Sequence, residues 1–254
     1  MNTSMEPAVS SLATSEAPSL SPFARAVAVF VRPTQAWGGL RERAQWWWPV
    51  LVTILLSMGM SAALHQRALL PMLTEQWEQQ AADGQIPAEQ LERMETFFSS
   101  PQGLAMMVAQ QGVVLIIMQM LVALLVWFGA GFVLGTPMRF RWALEVAAWS
   151  GLVAIPGQLL AGGMAWMKET FRGVHTGFGM LLPEQDPPTK LMTALGVVLD
   201  SLGPLSIWYL AVAIIGAAAL SGAPRKSVAW VLAGIYLAMT LFGAAMAGVF
   251  TPGS

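Results

Sequence analysis

The chain has 254 residues, of which 56% are apolar and only 11% charged, with 13 Lys and Arg against 14 Asp and Glu for a net charge of −1. A soluble domain carries charge on roughly 25% of its residues, so this chain lacks the groups to hydrate a globular surface, and the solvent that suits it is the lipid bilayer. A near-zero net charge excludes nucleic acid as a partner. The absence of cysteine excludes disulfides, thiol nucleophiles and Cys-based metal sites.

Residues 1–21 are rich in Ser, Ala and Pro and hold Glu6 and Glu16 without a basic residue, a composition that predicts a disordered cytoplasmic tail and lacks the basic start and apolar middle of a signal peptide. Next, Phe23, Ala26, Val27, Phe30 and Val31 share one helical face, with Arg25 and Arg32 alongside. The pattern fits an amphipathic helix on the inner membrane surface, held by lipid and anionic headgroups. It fits equally a pre-span helix that packs on the bundle. Arg41 and Arg43 then precede the first span and extend the candidate membrane or partner contact formed by Phe23, Arg25, Phe30 and Arg32.

Residues 44–66, 96–138, 146–167, 201–224 and 227–254 contain no Asp, Glu, Lys or Arg. Each run is long enough to cross the hydrocarbon core, which takes about 20 residues of helix. Spanning backbone must satisfy its own hydrogen bonds, and the runs lack the alternation of barrel strands, so an all-α protein with five transmembrane helices follows, near 47–64, 112–134, 142–167, 205–221 and 228–250. The 43-residue run 96–138 predicts one span with an apolar approach, because Ser100-Pro101 reads as a helix start and no turn follows Gly112 before Gly135-Thr136-Pro137. Between the first two spans lies an acidic outer loop, 65–103. Its acids Glu75, Glu78, Asp83, Glu89, Glu92 and Glu95 lie on two predicted helices broken at Asp83-Gly84 and read as a solvated surface.

Basic residues set the orientation. Arg25, Arg32, Arg41, Arg43, Arg139, Arg141, Arg225 and Lys226 fall on one side, against Arg67, Arg93, Lys168, Arg172 and Lys190 in two longer, acidic loops. The positive-inside rule then predicts a cytoplasmic N-terminus and an outer C-terminus.

Candidate chemistry within the spans is sparse. Glu145, one turn into the third span with Arg141 at i−4, reads as a snorkelling, paired interfacial residue or as a binding or proton site. Gln119 and Gln158 should bond across helices, and Pro156 should kink the third span and free a carbonyl near Leu152. Together, Gln119, Glu145, Pro156 and Gln158 are the residues a small-molecule permease or channel would use. The small-residue pairs Gly131/Gly135, Ala213/Ala217 and Ala244/Gly248 predict tight seams, either within the bundle or between copies in a homo-oligomer. No HExxH, Walker A or GxSxG motif is present, and His65 and His175 read as polar surface, so no enzyme machinery, cofactor or metal site is expected.

Two stretches carry a resemblance: FARAVAVFVRPTQAWGGLRERAQWWWPVLV (23–52) and PLSIWYLAVAIIGAAALSGAPRKSVAWVLAGIYL (204–237). With EQLERMETFFSSPQG (89–103) and RFRWALEVAAWSGL (139–152), they resemble the bacterial branch of the YIP family, the Ypt/Rab-interacting membrane proteins, over roughly 22–250. The resemblance implies a non-enzymatic, five-span protein of the cytoplasmic (inner) membrane, acting through membrane or cytoplasmic protein partners or on membrane organisation. Eukaryotic members bind small GTPases of the Rab class, but their cytoplasmic Asp-Leu-Tyr-Gly-Pro motif has no counterpart before the first span, so a GTPase partner rests on family analogy alone.

Overall fold

The computed structural model describes residues 20–183 and 189–251. The expected tail, 1–21, lies outside the described residues except for its last two. The regular structure of the described residues is helical, with no strand. A short helix α1 (Pro22–Val31) is followed by α2 (Trp47–Leu64), α3 (Leu70–Ala82), α4 (Ala88–Ser99), α5 (Pro101–Trp127), α6 (Phe140–Gly151), α7 (Ile155–Lys168), α8 (Lys190–Ser201), α9 (Pro204–Ser221) and α10 (Arg225–Phe250).

Five helical stretches are long and apolar enough to cross a membrane: Trp47–Ala82, Pro101–Val133, Phe140–Lys168, Pro204–Ser221 and Arg225–Phe250. The first runs from α2 into α3 through a π-helical turn, His65–Leu69, and so extends well beyond the expected end at Leu64. The second begins at Pro101, with the Ser100 hydroxyl accepting from the Gly103 amide at 3.2 Å, as an N-cap should. It is one continuous span, ending in a second π-helical turn, Phe128–Val133. The third is broken where Pro156 removes an amide donor. There a 3-10 turn, Leu152–Ala154, joins α6 to α7.

The third span is the most buried of the five, and Ala143 to Ser150 are buried without a break. It packs against α2, α5 and α9, while α10 closes the bundle against α8 and α9. Small residues set these distances. Gly129 leaves room for Leu232 and Ile235 of α10, and Met60 of α2 lies over Gly162. Of the expected seams, Ala213 and Ala217 are buried within the bundle, and Gly248 meets the Lys190 carbonyl and Ala194 of α8.

The loop 65–103 folds back as α3 and α4 around a turn in which Gly84 takes a positive φ of 72°. Trp77 and Phe98, with ring centroids 5.2 Å apart, hold the two helices together. Exposed ion pairs, Arg67–Glu169 and Arg172–Glu75, both 3.0 Å, tie this loop to the one after α7. Each such pair contributes about 1 kcal/mol or less.

The corner between α4 and α5 depends on Gly103, where a Cβ would come within 2.6 Å of the Phe98 Cα, a backbone atom that cannot give way. Gly103→Ala should therefore lower stability by about 1–3 kcal/mol. Gly163→Ala, with nothing near its Cβ position, should leave it unchanged or slightly raised. Thermal unfolding of both variants in detergent measures the difference.

Candidate functional site

The basic end of the bundle holds the densest polar network among the described residues, and it is built by the segment before the first span. Helix α1 starts at Ser21, whose hydroxyl accepts from the Ala24 amide, with Pro22 in the first turn, and it stops at Arg32 before Pro33. Arg25, Ala28 and Val29 form its buried face. Phe23, Val27, Phe30 and Val31 point the other way, with Phe23 74% and Val31 66% exposed. The helix packs on α6 and the 3-10 turn of the third span, while its apolar stripe is left outward.

Arg25 corrects the expectation of a headgroup-facing cation: it is fully buried. Its Nε donates to Gln45 Oε1 at 3.0 Å, one Nη donates to the Gly38 carbonyl at 2.9 Å, and the other to the Ala36 carbonyl. The guanidinium lies 5.6 Å from the ring centroid of Trp149. A buried cation without such partners would be far too costly, and the turn from Pro33 to Trp46 supplies acceptors that a helix, with its carbonyls already engaged, could not. Burial lowers the Arg25 pKa from its ordinary value, and the charge of Glu145 opposes that shift.

Glu145 is the matching anion, and it is buried rather than snorkelling. The Gln45 amide donates to its Oε1 at 2.7 Å, the Trp149 indole donates to its Oε2 at 3.1 Å, and Arg141 stands 3.9 Å away. Gln45 therefore bridges the two charges, with its side chain on Arg25 and its backbone on Glu145. Trp48, at the start of α2, stacks on Trp149 with ring centroids 5.7 Å apart and planes 14° from parallel.

A second layer lies nearer the helix ends. Arg141 donates to the carbonyls of Leu40, at 3.2 Å, and Arg41. Arg41 donates to the Ala219 carbonyl at 2.9 Å, one of the carbonyls left open in the last turn of α9. Trp142 has Arg41 and Arg139 over its ring at 5.5 and 5.3 Å. Trp37 reaches between the helices to Gly216 of α9, where a Cβ would sit 2.5 Å from the indole. Arg32 and Arg43 remain exposed, as do Arg139, Arg225 and Lys226.

The other intramembrane candidates do not join this network or one another. Gln158 accepts from the Ser57 hydroxyl at 3.4 Å, a bond across helices as expected. Gln119 lies against Gly151, but its buried Nε2 finds no acceptor, so the expected interhelical hydrogen bond is not formed. Pro156 sits in the first turn of α7. The histidines also depart from expectation. His65 is buried, with Nε2 2.9 Å from the Phe98 carbonyl, and His175 Nδ1 lies 2.8 Å from Asp200 Oδ2. Gln45, Trp37, Trp149 and Gly216 are members of the site that sequence reasoning missed. A Trp-rich mouth facing a charged residue on a neighbouring span was the one available signal.

Five apolar helical stretches, with an N-terminal segment locked onto them by polar contacts, define a polytopic helical membrane protein. The particular family is given by comparison: the model of the Yip1 domain matches residues 27–247, and the chain belongs to that family. No curated protein and no solved structure matches it.

Removing one partner of a buried charged network leaves the others uncompensated, so Arg25→Leu should cost on the order of 3–5 kcal/mol and open the segment before Trp47 to protease. Gly216→Val should displace Trp37 at a cost of about 1–3 kcal/mol. Arg43→Gln, on the exposed surface, should stay within about 0.5 kcal/mol. Thermal unfolding and limited proteolysis in detergent read all three.

Proposed function

We propose that the protein is a non-enzymatic membrane protein of the bacterial branch of the Yip1 family, lying in the cytoplasmic membrane and acting through protein partners or on membrane organisation. Its working surface is the cytoplasmic face formed by α1 and the exposed basic residues around it. Residues 22–250 make up the membrane domain, 1–21 form a cytoplasmic tail, and 65–103 form an acidic outer loop. The N-terminus is cytoplasmic and the C-terminus is outside.

One observation carries this reading: the apolar stripe Phe23, Val27, Phe30 and Val31 is turned away from the protein, with Arg32 exposed at the end of the helix and Arg43 exposed in the turn that follows. An outward apolar stripe flanked by cations suits the boundary of a leaflet with anionic headgroups. The inward face is taken by Arg25, so α1 is held as a fixed platform. A partner would meet a preformed surface and lose less conformational freedom on binding. The permease alternative is less well supported, because Gln119, Glu145 and Gln158 have separate neighbours.

Because the chain has no native cysteine, single-cysteine variants report orientation directly. In intact cells, Asp83→Cys should react with a membrane-impermeant maleimide, while Lys226→Cys should react only after lysis. The reverse pattern overturns the orientation. Replacing Arg32, Arg43 and Lys226 together with Gln should reduce the recovery of co-purifying protein or anionic lipid at least threefold without changing thermal stability. Unchanged recovery overturns the assignment of the working surface.

A further inference from the structure

A cavity of about 420 Å³ lies between the third, fourth and fifth spans, roofed by Thr176 of the loop after α7. That volume falls within the usual range for small-molecule sites. The cavity arises where the third span breaks: Ala154, Gly157 and Ala161 present no bulk along its wall. Nothing on the lining carries a formal charge. The Asp200 side chain is already engaged, with His175 on one oxygen and the amides of Gly177 and Gly179, both at 3.2 Å, on the other.

The polar groups on the lining have a defined sense. Ser206 gives its proton to the Asp200 carbonyl at 3.1 Å, and Tyr236 gives its proton to the Ser201 carbonyl at 2.7 Å, so both oxygens are left as acceptors. Gln158 uses its carbonyl oxygen on Ser57 and keeps two N–H donors. The remaining wall is formed by Ala154, Gly157, Ala161, Leu205 and Tyr209, with Thr176 as the roof. We propose that this cavity binds the uncharged backbone of a glycerolipid. Ester carbonyls would accept from Gln158 and Thr176, a free hydroxyl would donate to Ser206 or Tyr236, and acyl carbons would lie along Ala154, Ala161 and Leu205. The chemistry selects a neutral ligand, because a phosphate or ammonium group would be desolvated there without a counter-charge.

The test uses the full chain in lipid nanodiscs with a photoactivatable diacylglycerol, a phosphatidic acid carrying the same chains, and a water-soluble glycerol photoprobe. Adducts are mapped by mass spectrometry. The diacylglycerol should label residues 154–161 and 205–209 at least fivefold more than phosphatidic acid does, and more than it labels the lipid-facing stretch 113–124. Ala161→Phe, which fills the cavity, should reduce that labelling at least fivefold and leave 113–124 unchanged. Should that variant fail to fold, Gln158→Leu, close to it in volume, carries the same expectation. Equal labelling by the charged lipid, preferential labelling by the soluble probe, or unchanged labelling in a folded variant overturns the proposal.

Discussion

A guanidinium removed from both water and headgroups must find all its partners within the protein, and the basic end of the molecule is organised around that requirement at Arg25. The carbonyls of Ala36 and Gly38 and the side chain of Gln45 have to face inward to meet it. This fixes the course of the turn between α1 and the first span. The same turn then presents the Gln45 amide to Glu145 and sets Trp48 on Trp149, so the entry of the first span is positioned against the third. Charge burial here specifies geometry more than it adds stability, since each ion forgoes hydration to be held.

The opposite end is organised around an anion. Asp200 collects the His175 ring and two amides, and its neighbourhood is so close that a Cβ on Gly177, Gly179 or Gly203 would lie within 2.7 Å of a neighbouring atom. The glycine-rich turn HTGFG, 175–179, is therefore folded onto the end of α8 by backbone donors. The two ends differ in consequence. At the basic end the polar groups are consumed by locking a segment in place. At the other end they leave a cavity beside the break in the third span.

Much of the architecture was legible in the sequence because bilayer-spanning helices are marked by length and absence of charge. Ser100-Pro101 announced the start of the second span, and Pro156 announced the break in the third. What stayed hidden was the direction each side chain faces. In a spanning helix both the core face and the lipid face are apolar, so periodicity does not separate them, and Glu145 looked like a residue that reaches for the interface. Arg25 reads equally well as a headgroup contact or as part of the bundle, because two of its three hydrogen-bond partners are backbone carbonyls in a turn, which no residue type advertises. The pairing of His175 with Asp200 spans 25 residues and was equally invisible.

The lock at the basic end joins parts of the chain made at very different times. Arg41 bonds Ala219 across 178 residues, and Gln45 bonds Glu145 across 100. At a synthesis rate of roughly 5–20 residues per second, α1 emerges several seconds before the third span and longer still before the fourth. During that interval Arg25 has the acceptors of its own segment, Ala36, Gly38 and Gln45, but lacks Trp149 and Glu145. The segment that ends as an internal clamp is thus made before most of what it clamps. The seat for Trp37 is complete only once the fourth span supplies Gly216.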